Sequence, residues 1–149
     1  MDDRQFEDWL AMFSLHDAPG HLLRRAHQRS YEIFRQAMPD GISRQQVALM
    51  IALGRRKNAS QNDIVEATGI DKSTLREMID RMVSKGLISR QRDPDDRRSW
   101  LLNLTETGRA ELAERIPRIE QLGEEILKPL ASAEREQLLA LLKKLTGLE

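Results

Sequence analysis

The chain is 149 residues long, balances 24 Lys/Arg against 24 Asp/Glu, and contains no cysteine. That length supports one domain with a real core, and the missing cysteines exclude disulfides, thiolate zinc sites, iron–sulfur clusters, cysteine nucleophiles and thiol-based redox sensing. No stretch approaches the roughly 18 apolar residues of a membrane span, and the acidic start MDDRQFEDW is unlike a secretory signal, so a cytoplasmic protein with no membrane partner is expected.

In chain order, Phe6, Trp9, Leu10 and Phe13 fall at helical spacing in a short helix or ordered arm, which HDAPG at residues 16–20 breaks. From His21 to about Met38 an apolar stripe of period near 3.6 predicts a helix, ended by Pro39-Asp40-Gly41. Ser43 with Gln46 reads as a capping box that opens a helix burying Val47, Met50, Ile51 and Leu53. Gly54 and RRKNA are expected as a basic loop. Two short helices follow, one from Ser60 to Thr68-Gly69, the other capped by Asp71 and running to Lys85, with Gly86 at its C′ position. LISRQR and SWLLNL are too short for helices and read as a hairpin with Trp100, Leu102 and Leu104 on one face. A long helix from Thr105 to Leu130 contains Pro117, which should bend it or cost it a hydrogen bond. Ser132 is expected to cap a last helix with Leu138, Leu141, Leu142 and Leu145 on one side.

The neutral total hides a gradient. Residues 55–98 hold eleven Lys/Arg against eight Asp/Glu, and the segments on either side are slightly acidic. Nucleic-acid binders concentrate positive charge where phosphates lie. Within this basic stretch, residues 60–85 have the length and glycine turn of a helix-turn-helix. Leu75, Met78, Ile79, Met82 and Val83 form the apolar face of the second helix, and Ser73, Arg76, Glu77, Asp80 and Arg81 the polar one, with Lys72 at the start. Arginine can bond guanine O6 and N7, serine and threonine reach bases or phosphates, and Lys72 with the free N–H groups of the first turn suits a phosphate. An ordinary amphipathic helix with a solvated face fits the same pattern. Spacing alone leaves both readings open.

The stretch RDPDDRRSW narrows them. A hairpin directly after such a helix is the wing of a winged helix, and its tip can carry arginine into the minor groove. Arg97 and Arg98 are the candidate contacts, with Asp96 holding one of them by a charge-assisted bond. A solvated tip with mutually neutralising charges accounts less well for the order of elements.

DKSTLREMIDRMVSKGLISRQRDPDDRRSWLLNLTETG resembles the core of the MarR (multiple antibiotic resistance regulator) family of bacterial transcription factors, over about residues 60–108. The resemblance implies a mainly α fold, a winged helix-turn-helix with a small β-hairpin wing. It implies one domain over residues 1–149, with residues 42–104 as the DNA-binding lobe. Residues 1–40 and 105–149 would be helices that intertwine with those of a second copy in a homodimer. It also implies double-stranded operator DNA as partner, read by Gln61, Lys72, Ser73, Thr74, Arg76, Glu77 and Arg81 on the helices and by Asp96, Arg97 and Arg98 at the wing tip. Glu77 and Asp80 are less typical of the family there.

Family members are commonly repressors released by a small molecule or an oxidant, and the missing cysteines remove the thiol mode. The histidines at 16, 21 and 27 have no carboxylate cluster beside them, so neither a metal nor a cofactor is expected. PGHLLRRAHQRSYEIF resembles the corresponding helix of members that answer to aromatic acids or their coenzyme A thioesters. Trp9, His21, Arg24, Arg25 and Tyr31 are therefore the candidate effector residues, since arginine beside aromatic rings suits a carboxylate or phosphate. Surface charge or dimer salt bridges explain the same arginines. The expected function is a ligand-responsive dimeric repressor; the alternative is a constitutive or architectural DNA-binding protein. An enzyme is not expected, because the chain has no Gly-rich phosphate loop, G-x-S-x-G or H-E-x-x-H.

Overall fold

The computed structural model describes residues 1–96 and 98–148. In chain order it consists of α1 (Asp3–Met12), a 3₁₀ turn (Leu15–Asp17), α2 (Pro19–Ala37), α3 (Arg44–Arg55), β1 (Ala59–Ser60), α4 (Gln61–Thr68), α5 (Lys72–Ser84), β2 (Ile88–Arg92), β3 (Trp100–Leu104), α6 (Glu106–Leu127) and α7 (Ser132–Thr146). The fold is mainly helical with a winged helix-turn-helix. The chain divides into two units, residues 38–121 and residues 1–37 with the chain from Leu122 onward.

Within residues 38–121 the core forms where α3, α4, α5 and the sheet converge, around Leu49, Met50, Leu53, Leu75, Met82 and Leu102. Leu49 is fully buried, whereas Ile51, expected inside, is only partly covered. α3 packs against both α4 and β3, so its buried arc is wider and turned relative to a stripe facing one neighbour. α3 also continues through Gly54 to Arg55, and Ala59 enters a strand, so the expected basic loop shrinks to Arg56–Asn58.

β3 is the centre of a three-stranded antiparallel sheet of order β1-β3-β2. Leu102 and Leu104 point into the core; Trp100 has the same parity on the strand but is 37% exposed, because the sheet runs out beyond the core there. The short β1 is set by a side-chain clasp. Asn58 takes a left-handed backbone (φ 53°), its N–H donates to Asn103 Oδ1 (2.8 Å), and Asn103 Nδ2 donates to Asn58 Oδ1 (2.8 Å). Where the sheet hands over to α6, Thr105 N–H donates to Leu87 O (3.1 Å) and Thr105 Oγ1 to Gly86 O (2.6 Å). Gly108 N–H then donates to Thr105 Oγ1 (3.0 Å), starting the helix. α6 continues through Pro117, which leaves the Ala113 carbonyl without its helical donor.

In the other unit, α1 begins three residues before its first apolar position, because Asp2 and Gln5 form a capping box. α2 begins at Pro19 rather than His21, with proline in the first turn where its missing N–H costs nothing. α7 is not capped by Ser132. Ala131 is the N-cap, and Glu134 accepts from its N–H at 2.7 Å. Arg135 fastens the preceding turn, its Nε donating to Leu130 O (3.0 Å) and its Nη1 to Glu124 (2.7 Å). Phe6, Trp9, Leu10, Leu22, Leu23, Leu139, Leu141 and Leu145 are all exposed in this unit.

Candidate nucleic-acid interface

Each helix of the helix-turn-helix is started by its own acid. Ser60 Oγ accepts from Asp63 N–H (3.2 Å) while Asp63 Oδ2 accepts from Ser60 N–H (2.8 Å). Hydrogen bonds from the Ser60 backbone and hydroxyl hold the Asp63 carboxyl below its usual range, against partial desolvation and with help from Arg56 at 2.9 Å. α4 ends at Gly69, which adopts φ 67° and donates its N–H to Val65 O (2.8 Å). Asp71 then caps α5, accepting from Thr74 N–H at 2.9 Å, and the Thr74 hydrogen bonds keep its carboxyl below its usual range. One first-turn N–H, expected free for a phosphate, is thereby occupied by the protein's own carboxylate. Lys72 and Ser73 beside it remain exposed.

On α5, Leu75, Met78, Ile79 and Met82 are buried and Val83 is half-buried. Lys72, Ser73, Arg76, Glu77, Asp80 and Arg81 are exposed, and Thr74 is partly so. Gln61 Nε2 donates to Lys72 O at 3.4 Å, placing the start of α4 beside that of α5. Arg81 Nε donates to the Glu77 carbonyl (3.4 Å) rather than pairing with its carboxylate.

The wing pairs Arg92 with Trp100, Arg90 with Leu102 and Ile88 with Leu104. Its turn is built by acids bonding backbone. Asp93 Oδ1 accepts from Asp95 N–H (2.9 Å) and Asp96 Oδ1 from Arg98 N–H (3.0 Å), while Ser99 N–H donates to Asp96 O (2.8 Å). Asp96 thus fixes the tip through the backbone of Arg98, whose side chain is exposed. Arg97 lies outside the described residues.

Three contacts of the wing were not legible in the sequence. Asp80, awkward beside DNA, pairs with Arg90 across to the wing, and Arg90 and Arg92 both lie against Trp100. Opposed charges ten residues apart were the available signal, but only the fold shows that they meet.

The five effector candidates lie in the unit that holds α1 and α2. Trp9 stacks on Phe13 (4.7 Å between centroids), and the His16 and His21 rings are 6.2 Å apart. Desolvation, then Arg24, Arg25 and His16, push the His21 imidazole below its ordinary value, and its Nε2 is shielded without a hydrogen-bond partner. Arg24 donates to Gln28 at 3.4 Å, and Tyr31 is exposed. Residues 38–121 contain a separate apolar cavity of about 400 Å³ walled by Ile51, Leu104, Leu112 and Ile116, with Arg55 and Arg109 among its lining.

A family model described as the MarR family matches residues 40–99. The transcriptional repressor NicR of Pseudomonas putida is 36% identical over 127 residues, 85% of this chain and 80% of that protein. Among solved structures, Bordetella bronchiseptica BpsR, described with a mechanism for regulation of its DNA binding by 6-hydroxynicotinic acid, superposes with a TM-score of 0.87 at 38% identity, covering 90% of this chain and 96% of that one. The PcaV transcriptional regulator of Streptomyces coelicolor, in complex with its natural ligand, gives 0.86 at 30% identity, covering 91% and 96%.

Proposed function

The chain belongs to the MarR family of transcriptional regulators, and from that premise we propose that it is a cytoplasmic, homodimeric repressor released from a pseudo-palindromic operator by an aromatic acid or its coenzyme A thioester. The observation that carries the DNA-binding part is the shared exposure of Ser73, Arg76 and Arg81 on α5 and Arg98 on the wing that follows it. A recognition helix in the major groove and a wing reaching the minor groove use those side-chain types in those places. Lys72, Thr74, Gln61, Glu77 and Asp96 border or shape the same surface. The large apolar side chains exposed on α1, α2 and α7 support a dimer, because a solvated monomer has little reason to leave so many uncovered.

The effector part rests on His21, Arg24 and Arg25, three nitrogen-bearing groups close together on α2, with Trp9 and Tyr31 as aromatic neighbours in the same unit. A carboxylate supplies the charge those groups lack, and an aromatic body matches the rings. DNA binding by BpsR is regulated by 6-hydroxynicotinic acid, and PcaV forms a complex with its natural ligand.

One titration tests the whole reading: a gel shift on the DNA upstream of the protein's own gene, at several salt concentrations and with a panel of aromatic acids and aroyl thioesters. Salt-sensitive binding that one compound releases supports regulator and effector class together. Binding that no compound releases favours a constitutive DNA-binding protein, and binding by a monomer overturns the operator symmetry.

A further inference from the structure

The inner face of the wing changes character along its length. Near the core it carries Leu104 and Leu102; one step further out it carries Trp100, opposite Arg92. The Arg92 guanidinium carbon lies 4.0 Å from the Trp100 ring centroid and that of Arg90 5.1 Å from it. Arg90 also reaches off the sheet, its Nη1 donating to Asp80 Oδ1 on α5 at 2.6 Å. Asp80, Arg90 and Trp100 together line a groove of about 280 Å³ between the recognition helix and the wing.

A carboxylate on the exposed side of a DNA-reading helix needs a reason, since phosphates repel it. Overall stability does not provide one. The Asp80 and Arg90 side chains are 53% and 41% exposed, so water screens their attraction and the pair adds little to folding. Direction is a different matter. A two-stranded ribbon is barely rigid by itself, and outward of Leu102 the buried core no longer backs the wing. At that level the Asp80–Arg90 pair links β2 to α5, and within the wing Arg90 and Arg92 lie against Trp100.

We propose that Asp80 is a positioning residue for DNA binding. Through Arg90, which also lies against Trp100, it fixes the direction of the wing relative to α5 so that both meet one duplex in register. This rests on α5 and the wing being the DNA-reading surface.

Asp80→Asn separates the possibilities by sign. A carboxylate that merely repels phosphate gives tighter binding when neutralised; a positioning carboxylate gives weaker binding. The probe is the duplex that the wild-type protein enriches from a random-sequence pool, compared with a scrambled duplex of the same composition. The expected result is a loss of roughly threefold to tenfold on the enriched duplex, with scrambled-duplex binding, salt slope and melting temperature nearly unchanged. Asp80→Glu recovers most of the loss, and Asp80→Asn combined with Arg90→Gln is no worse than Arg90→Gln alone. Unchanged or tighter binding by Asp80→Asn overturns the proposal. So does a loss that vanishes when one base pair of the duplex is changed, which makes Asp80 a base reader, or a loss that tracks a lowered melting temperature. A wild-type protein that enriches no duplex overturns the DNA-binding reading beneath it.

Discussion

The backbone carbonyl of Leu87 occupies the space that a β-carbon on residue 108 would need: a Cβ built on Gly108 falls 2.1 Å from Leu87 O and 3.2 Å from Leu104 Cδ2. Leu87 O also accepts from Thr105 N–H, so it cannot retreat without loosening the joint between wing and α6. We expect Gly108→Ala to cost about 3 kcal/mol, at the high end for overpacking because the obstacle is backbone. Denaturant titration checks this. A cost below about 1 kcal/mol would show that the joint gives way easily.

Arg115 is a second tie within the same unit. Its side chain is 14% exposed, and its two terminal nitrogens donate to Asp40 (2.6 Å) and Glu111 (2.5 Å). Partial desolvation pushes the Asp40 carboxyl up, but the Arg115 hydrogen bond and charge outweigh it and hold it below its usual range. Asp40 therefore contributes stability above the ordinary carboxylate range, and that stability is lost as pH falls through its lowered value. Both carboxylates are a third or more exposed and screened, so Arg115→Ala should cost about 1–2 kcal/mol, less than a fully buried pair. Melting at fixed protein concentration should show the gap between wild type and Arg115→Ala narrowing below about pH 4.

At the wing tip, Arg98 and Asp96 should fail differently. Arg98→Ala removes a cation from DNA, so operator affinity should fall roughly tenfold or more and the salt slope should shrink by about one. Asp96→Ala removes the turn contact to the Arg98 N–H; affinity should fall with the slope nearly intact. Identical salt behaviour of the two variants would contradict that division of roles.

Desolvation and the charges of Arg24, Arg25 and His16 hold the His21 imidazole below its ordinary value. A carboxylate seated beside it would favour the protonated ring, so effector binding should take up a proton and strengthen as pH falls toward the ordinary imidazole range. Calorimetry in buffers of different ionisation enthalpy measures that uptake, and His21→Gln should abolish it. Arg24→Ala and Arg25→Ala should weaken effector binding while Arg109→Ala, at the apolar cavity, does not. The opposite pattern would move the effector to that cavity.

Local chemistry explains how much of this was legible in sequence. Asp71, Gly69 and Gly86 act on backbone groups within a few residues, so the bounds of α4 and α5 could be read directly. The wing showed in the alternation of Leu102 and Leu104. Pairings across long separations could not be read: the Asn58–Asn103 clasp spans 45 residues and creates a strand of only two. Leu49 rather than Ile51 is buried because α3 has two neighbours, a fact absent from its own periodicity. Asp96 illustrates a subtler limit. Its place beside an arginine was visible, but whether it bonds the guanidinium or the backbone depends on turn geometry.

The two tryptophans of the chain fall one in each unit: Trp9 stacked on Phe13, Trp100 beside two guanidinium groups at the outer end of the wing strands. The molecule consequently carries a native optical reporter in each half. Indole emission responds to a neighbouring cation and to a stacked ring in different ways, so titrating DNA should perturb the Trp100 signal and titrating an aromatic acid that of Trp9. No dye is needed to learn which half a ligand has touched, or whether the second half notices.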